Sequence, residues 1–191
     1  MLATQLVFLH GFGEDERVWA DFLPFHTWPF PTICPAYAEW TDCATLAEYA
    51  QKIVAQLPSE ANFILVGHSM GGYIALEIAS QFPDRVKQVV MLHSTFLADT
   101  EEKKINRDRT ADLLEKKGTA FFIGPFLPNL FATVSQELIA TLAERYRNLP
   151  AAGLIAATKA MRDRSDFTVF VQTTDIPFLF IMGEQDALIS P

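Results

Sequence analysis

Apolar residues alternate along the chain between short continuous runs and segments with helical spacing. The continuous runs, each predicted to be a buried strand, cover residues 5–10, 62–67, 86–92 and 177–182, with a shorter run at 32–34. Helical spacing is found over residues 45–57 and 71–82, and Pro83 ends the second of these segments. Continuous apolar strands separated by helices favour a parallel sheet that is covered on both faces. The pattern therefore predicts an α/β fold built on a mostly parallel, doubly wound sheet.

The pattern changes between residues 98 and 167, where no strand is predicted. Four segments follow one another there: a helix with mixed charges, an apolar loop and two further helices, over residues 99–117, 118–131, 135–147 and 150–164. The charges of the first helix indicate a solvated face. We therefore expect a helical cap, residues 98–167, inserted into a discontinuous core formed by residues 1–97 and 168–191.

Composition narrows the class of protein without identifying it. The chain has 191 residues, of which 50% are hydrophobic and 20% charged, a balance typical of a globular domain with a large core. The net charge of −8, without a basic block, argues against nucleic acid and anionic membranes as partners. No apolar run reaches the roughly 18 residues that span a bilayer. The two cysteines are expected to be free thiols in the cytoplasm, and we expect neither a metal nor a cofactor.

The strongest chemical signal is the sequence GHSMGG, residues 67–72, which follows a predicted strand and opens a predicted helix. A Gly-x-Ser-x-Gly turn in this context bends sharply and strains the serine backbone. Gly67 and Gly71 leave room for the turn, because a side chain at either position would collide across it. The hydroxyl of Ser69 is thereby held at the carboxyl end of the sheet, beside a helix N-terminus that favours negative charge. We therefore predict that Ser69 is a catalytic nucleophile.

A second signal is the sequence LHGFGEDERVW, residues 9–19, in which a strand ends in His-Gly and a loop follows. Such a loop can direct the backbone N–H of Phe12 at a carbonyl oxygen that is held over Ser69. The N–H of Met70 would be the second donor, and together the two would form an oxyanion hole. His10 is expected to fix this loop through hydrogen bonds rather than to act in catalysis.

A third signal is the sequence GEQDALISP, residues 183–191, where Asp186 follows an apolar strand. Serine before acid along the chain is the order found in one class of catalytic triad, in which a histidine comes last. These three motifs together resemble those of the α/β-hydrolase family, and more narrowly those of its small capped serine hydrolases. The resemblance covers nearly the whole chain, from the HGFG loop through GHSMGG and the helical insertion to GEQD.

The resemblance implies a role for each motif. Ser69 would be the nucleophile, and Asp186 would be the acid that orients a histidine. Phe12 and Met70 would supply the oxyanion donors, and residues 98–167 would cover the pocket as a cap. Serine at position 69 argues against the dehalogenases and epoxide hydrolases, which look similar but use aspartate there.

One departure from the family is large, because the family's histidine follows a further helix and strand after the acid, whereas five residues follow Asp186 here. We therefore expect that a C-terminal helix, a strand and the histidine loop lie outside these 191 residues. The apolar strand at residues 177–182 supports this expectation, because without a further neighbour it would form an exposed sheet edge. Among the histidines present, His93 ends a strand beside the nucleophile's strand. It is predicted to contact the substrate or a catalytic residue. Two other roles stay open for it, that of a substitute general base and that of a purely structural histidine.

The function predicted from these residues is that of a serine hydrolase that cleaves a small hydrophobic ester, thioester or similar acyl substrate through an acyl-enzyme. Six apolar residues of the insertion either line the substrate pocket, Phe126 foremost, or pack the cap on the core: Phe121, Phe122, Phe126, Leu127, Leu130 and Phe131. Two alternatives stay open, a non-catalytic ligand-binding protein on the same fold and a carbon–carbon bond hydrolase or lyase with the same triad. The predicted partner is a small-molecule substrate, and a homodimer stays open.

Overall fold

A computed structural model describes residues 3–189 of the protein, in which five strands form one sheet. The strands are β1 (Ala3–Leu9), β2 (Thr32–Ile33), β3 (Ala61–His68), β4 (Val86–Leu92) and β5 (Phe178–Ile181). Every neighbouring pair is parallel, and the strand order is β2-β1-β3-β4-β5. The predicted α/β fold with a parallel sheet is therefore confirmed, and each predicted strand is present.

Seven helices accompany the strands in the described part of the chain: α1 (Leu46–Val54), α2 (Met70–Gln81), α3 (Glu101–Lys117), α4 (Thr119–Phe126), α5 (Gln136–Tyr146), α6 (Ala151–Arg162) and α7 (Thr168–Thr173). Short 3₁₀ helices occur at Glu16–Trp19, Leu23–Phe25, Pro83–Arg85 and Leu127–Leu130. A capping box begins α1, because the Thr45 hydroxyl accepts from the Glu48 N–H and the Glu48 carboxylate accepts from the Thr45 N–H. The helices predicted at residues 45–57 and 71–82 are thus α1 and α2.

Side chains of β1 alternate between two hydrophobic clusters, because successive strand residues point to opposite faces of a sheet. Val7 and Leu9 are buried in the main core together with residues of α1 and α2. Leu6 and Phe8 lie on the other face with Trp19, whose ring centre is 5.2 Å from that of Phe8. Helices therefore cover one face of β1, and the aromatic loop between β1 and β2 covers the other.

Helices α3 to α6 lie within the predicted cap, and this helical segment (residues 98–167) has a hydrophobic core of its own. The buried residues of that core are Leu114, Phe122, Ile123, Leu127, Tyr146, Leu149 and Leu154. α6 joins the segment to the main core, to which it contributes Ala157, Ala160 and Met161. It also closely approaches the loop before α1, because a Cβ at Gly153 would collide with the carbonyl of Ala38. The helical segment is therefore packed both on itself and on the sheet core.

The apolar loop predicted for residues 118–131 is wrong, because α4 and a 3₁₀ helix occupy most of this stretch. The stretch contains two glycines and two prolines, which usually indicate loops. Phe122 and Ile123 are buried in the core of the helical segment, and such packing overrides the weak helix propensity of Gly124 and Pro125. The sequence pattern did not predict the short helix α7 either.

β5 is an edge of the sheet in the described residues, since it pairs with β4 alone. Its side chains are unusually exposed for an apolar strand, with Leu179 47%, Phe180 37% and Ile181 45% exposed. The sequence predicts a buried strand at residues 177–182, whereas in the described residues β5 is the exposed apolar edge expected where no further strand adjoins it. The helix, strand and histidine loop expected to follow lie outside the described residues and stay a prediction.

Candidate active site

Ser69 lies in a sharp turn between β3 and α2, at the carboxyl end of the sheet. Its backbone has φ 50° and ψ −115°, a conformation that non-glycine residues rarely adopt and that stores strain. The glycines around it allow close approach: a Cβ at Gly67 would collide with the carbonyl of Gly71, and a Cβ at Gly71 would collide with that of Leu9. The turn therefore has the geometry that the GHSMGG pattern predicts.

Hydrogen bonds from three directions hold the backbone of Ser69 in this conformation. Its N–H donates to the carbonyl of Leu92 at 3.0 Å, and its own carbonyl accepts from the Ser94 hydroxyl at 2.8 Å. The N–H of Gly72 donates to the same carbonyl at 2.9 Å. The Ser69 side chain does not cap α2, so its hydroxyl is not committed to the helix that it precedes.

The loop after β1 is fixed by His10, which is buried. Its Nδ1–H donates to the carbonyl of Gly11 at 2.9 Å, and its ring stacks on Tyr37 with ring centres 3.7 Å apart. The Tyr37 hydroxyl donates to the carbonyl of His10 at 2.6 Å. Burial lowers the pKa of His10, which favours the neutral imidazole. These contacts fit the structural role predicted for His10.

The two residues predicted to donate to an oxyanion lie on adjoining segments. Met70 is the first residue of α2, and Phe12 follows Gly11, where an added Cβ would lie 3.3 Å from the Ser69 Cβ. Within residues 3–189, neither backbone N–H donates to another protein group. The Phe12 ring packs on α4, with ring centres 5.7 Å from Phe122 and 5.8 Å from Phe126.

Asp186 lies just after β5 and contacts His93, which follows β4. The Asp186 Oδ2 is 2.8 Å from His93 Nδ1, and its Oδ1 accepts from the N–H groups of Leu188 and Ile189, each at 2.9 Å. Burial alone would raise the pKa of Asp186, but the bond from Ile189 and the contact with His93 outweigh it and lower the pKa. The carboxylate is therefore held in its charged form against the imidazole.

His93 is next to the turn that carries Ser69 as well as to Asp186. It directly follows Leu92, whose carbonyl accepts the Ser69 N–H, and its own N–H donates to the carbonyl of Ile181 at 2.9 Å. Its φ of 45° is the second strained value at a non-glycine residue in the described chain. With Nδ1 occupied by Asp186, Nε2 is the ring nitrogen left for a substrate or a proton. No hydrogen bond joins His93 to the Ser69 hydroxyl within residues 3–189.

A cavity of about 350 Å³ opens beside this pair. His93, Gly183 and Asp186 line it on the sheet side, and the helical segment lines it with Asn129, Leu130, Phe131 and Ala132. Ser69 is not among its lining residues. The cavity therefore brings Asp186 and His93 together with the helical segment at one opening.

The six apolar residues considered for the pocket include two that line the cavity, three that pack and one that is exposed. Leu130 and Phe131 line the cavity. Phe122 and Leu127 are buried in the core of the helical segment, and Phe121 is exposed. Phe126 packs on the Phe12 ring and would lie 3.1 Å from a Cβ at Gly13, away from the cavity. The structure thus places Phe126 against the loop after β1.

Glu14, which contacts the turn that carries Ser69, was not predicted from the sequence. Its Oε1 is 2.6 Å from Nδ1 of His68, the residue before Ser69. A possible signal was its position inside the HGFGED loop, where an acidic residue follows three small or apolar ones. The position of Glu14 does not indicate which residue it contacts, because His68 is 54 residues away along the chain.

Two features are absent from the described residues, a membrane-spanning helix and a metal site. None of the helices there is both long and apolar enough to cross a membrane. No group of three or more His, Cys, Asp or Glu side chains in residues 3–189 is arranged to hold a metal ion. The location in the cytoplasm, the small-molecule partner and the oligomeric state stay predictions.

Comparison with known proteins identifies the family. The family model described as the alpha/beta hydrolase fold matches residues 9–191. The chain therefore belongs to the α/β-hydrolase fold family, as the three motifs predicted.

Relatives and solved structures match most of the chain. A 2-succinyl-6-hydroxy-2,4-cyclohexadiene-1-carboxylate synthase from Klebsiella pneumoniae is 28% identical, over 95% of this chain and 77% of the relative. A pimeloyl-[acyl-carrier protein] methyl ester esterase from Neisseria meningitidis is 26% identical, over 99% of this chain and 78% of the relative. A thermophilic esterase from Thermogutta terrifontis superposes with a TM-score of 0.86 at 25% identity, over 100% of this chain and 75% of that chain. These similarities support a hydrolytic enzyme of the esterase type.

Proposed function

We propose that the protein is a serine hydrolase that cleaves small hydrophobic esters, thioesters or related acyl compounds. The observation that carries the proposal is the strained backbone of Ser69, with φ 50°, at the turn from β3 into α2. A strained residue persists only where its surroundings hold it, and such residues cluster at active sites. Hydrogen bonds with Leu92, Gly72 and Ser94 hold this turn in its strained form.

The proposed reaction begins when Ser69 attacks the acyl carbonyl while a histidine takes the hydroxyl proton. The carbonyl oxygen becomes an oxyanion, and the N–H groups of Phe12 and Met70 donate to it. The leaving group takes the proton from the histidine, and water then releases the acyl group from Ser69. Loss of one oxyanion donor typically lowers the rate about a hundred- to a thousand-fold.

Asp186 would hold the histidine that serves as the base. In a triad, the acid binds one ring nitrogen and leaves the other to face the serine. His93 meets the first condition, because its Nδ1 is 2.8 Å from Asp186. A histidine that follows Asp186 in a longer reading frame is the other source of the base, and it is the one that the family resemblance implies. His93 would then be a contact to the substrate or to Asp186.

A fluorophosphonate probe tests the nucleophile in the protein as its complete gene encodes it. The wild type and Ser59→Ala, a matched change at an exposed serine, should be labelled, and Ser69→Ala should not. Absence of labelling in a folded wild-type protein would refute the proposal.

The same assay tests His93. His93→Gln should abolish labelling and lower turnover by about a million-fold if His93 is the base. His26→Gln, at an exposed histidine, is the matched control. Labelling that persists in His93→Gln would restrict His93 to a contact role and assign the base to another residue.

The helical segment is proposed to act as a cap. It contributes Leu130 and Phe131 to the cavity beside Asp186, which suits a small and partly apolar substrate. Enlarging either side chain should raise KM for longer acyl chains more than for acetyl esters, and unchanged chain-length preference would contradict this role.

A second function is favoured by one observation, the 28% identity to a relative named as a synthase rather than an esterase. The same serine, acid and oxyanion donors could serve a carbon–carbon hydrolase or lyase. Parallel assays with chromogenic esters and with β-diketone substrates separate these reactions. Ligand binding that is unchanged in Ser69→Ala, without turnover of either class, would instead support a non-catalytic binding protein.

A further inference from the structure

A single carboxylate oxygen joins the loop after β1 to the nucleophile turn. Oε1 of Glu14 accepts the backbone N–H of Gly11 at 2.5 Å and lies 2.6 Å from Nδ1 of His68. Gly11 belongs to the loop that carries Phe12, and His68 precedes Ser69 in the turn that leads to α2. The two chain segments that carry the candidate oxyanion donors are thus bridged by one side chain.

The two side chains of this bridge are largely buried. The side chains of Glu14 and His68 are 13% and 28% exposed. Burial alone would raise the pKa of Glu14, but the charge and hydrogen bond of His68 outweigh it and lower the pKa. Burial alone would lower the pKa of His68, but Glu14, with a smaller contribution from Asp186, raises it. Each group therefore stabilises the charged form of the other.

The space around Gly11 shows how tightly the segments are joined. A Cβ built there would be 2.9 Å from Glu14 Oε1, 3.0 Å from His68 Nδ1 and 3.3 Å from the Ser69 Cβ. The carboxylate, the imidazole and the nucleophile's side chain therefore surround one backbone position. Phe12 is the next residue, so its N–H is placed by the same contacts.

We propose that Glu14 and His68 are positioning residues that set the distance between the two oxyanion donors. The inference rests on the proposed function, because it assigns a role within that reaction. Glu14 holds the Phe12 segment through Gly11, and His68 holds the Met70 segment through Ser69. Neither residue is assigned proton transfer to the substrate. Misplacement of a donor by about 1 Å can reduce a rate about a hundred-fold.

The experiment compares Glu14→Ala and Glu14→Gln with Glu60→Gln, which makes the same change at an exposed glutamate. Turnover of a chromogenic ester gives kcat and KM. Affinity for an aryl trifluoromethyl ketone, which Ser69 converts into a hemiketal oxyanion, reports the donors directly. Circular dichroism confirms that each variant is folded.

We expect Glu14→Ala to lower kcat by about ten- to a hundred-fold with KM nearly unchanged, and to weaken ketone binding by a similar factor. Glu14→Gln should recover much of this loss, because the amide oxygen can still accept from Gly11 and His68. Glu60→Gln should behave as the wild type. A merely structural role would lower the melting temperature without this pattern of kcat and ketone affinity.

Three results would overturn the inference. Unchanged kcat and ketone affinity in Glu14→Ala would remove the positioning role, and so would a Glu14→Gln variant no better than alanine. If the alanine variant does not fold, the glutamine variant decides alone. It should then retain at least a tenth of wild-type kcat, and a lower kcat is the third result that would overturn the inference. A wild type that neither labels at Ser69 nor turns over ester would show instead that the proposed function has failed.

Discussion

Replacement of Asp99 by alanine would leave two arginines without the carboxylate that they share. The Asp99 side chain is fully buried, Arg164 Nη1 is 2.6 Å from its Oδ1, and Arg107 Nε donates to its Oδ2 at 3.1 Å. Asp99 precedes α3 and Arg164 follows α6, so this ion group joins the two ends of the helical segment. The group therefore holds the segment where it meets the sheet core.

The expected loss of stability comes mainly from Arg164, whose side chain is 4% exposed. Removal of one member of a buried ion pair destabilises by about 3–5 kcal/mol, because the other charge stays buried. Arg164 would keep its bonds to two backbone carbonyls, those of Leu97 and Met161, which places the loss near the lower limit. Arg107 is partly exposed and can recover water, so it adds at most about 1 kcal/mol. The substitution should therefore lower the free energy of unfolding by about 3–4 kcal/mol.

Urea denaturation followed by circular dichroism measures this loss. Asp112→Ala is the matched control, because it removes an aspartate of the same helical segment whose exposed pair with Lys116 spans 3.9 Å. That variant should unfold like the wild type. A loss below about 1 kcal/mol in Asp99→Ala would refute the reasoning, because it would mean that water reaches Arg164 without hindrance.

Gly71→Ala should prevent stable folding, because the added Cβ would collide with the Leu9 carbonyl, whereas Gly124→Ala should be harmless, because nothing lies within 4 Å of its Cβ. Melting curves of both variants check this, and equal melting temperatures would contradict it. The pair of Glu14 and His68 should make stability depend on pH. The raised pKa of His68 gives a contribution that is complete below pH 6.5 and is lost as the pH rises through its folded pKa. The lowered pKa of Glu14 gives one that is complete above pH 4.5 and is lost as the pH falls through its folded pKa. Both contributions are complete between pH 4.5 and pH 6.5, so the unfolding free energies of wild type and Glu14→Gln should differ most in that range. A difference that is constant from about pH 4 to about pH 9 would argue against the pair.

The sheet and the turn that carries Ser69 could be predicted because their signals are local. Strand β1 is a continuous apolar run because side chains on both of its faces are buried, as the alternation of Val7 and Phe8 between two clusters shows. The turn requires glycine at positions 67 and 71, because a Cβ at either would collide with backbone atoms. Two glycines at these positions of a strand–helix junction are therefore a specific sequence signal. Such features depend on a few consecutive residues and can be recognised without knowledge of the remaining chain.

Features that depend on distant partners could not be predicted in the same way. Helix α4 forms because Phe122 and Ile123 are buried against other helices, and local glycines and prolines conceal this. The contact of Asp186 with His93 joins residues 93 positions apart. It arises because β4 and β5 are neighbours in the sheet, which their sequences do not specify. Strand order therefore determines which side chain Asp186 contacts.

Strained residues at the candidate site include one feature that local sequence predicts and one that depends on distant residues. Ser69 and His93 are the non-glycine residues with positive φ in the described chain, and they follow the adjacent strands β3 and β4 at the same edge of the sheet. Strain of this kind costs of order 1–3 kcal/mol per residue and persists only where neighbours enforce it. Here each strained residue donates its N–H to the end of the next strand, Ser69 to Leu92 and His93 to Ile181. The hydrogen bonds that continue the sheet thus hold both side chains at the edge where Asp186 lies, and only the first of the two strained positions is recognisable from its local sequence.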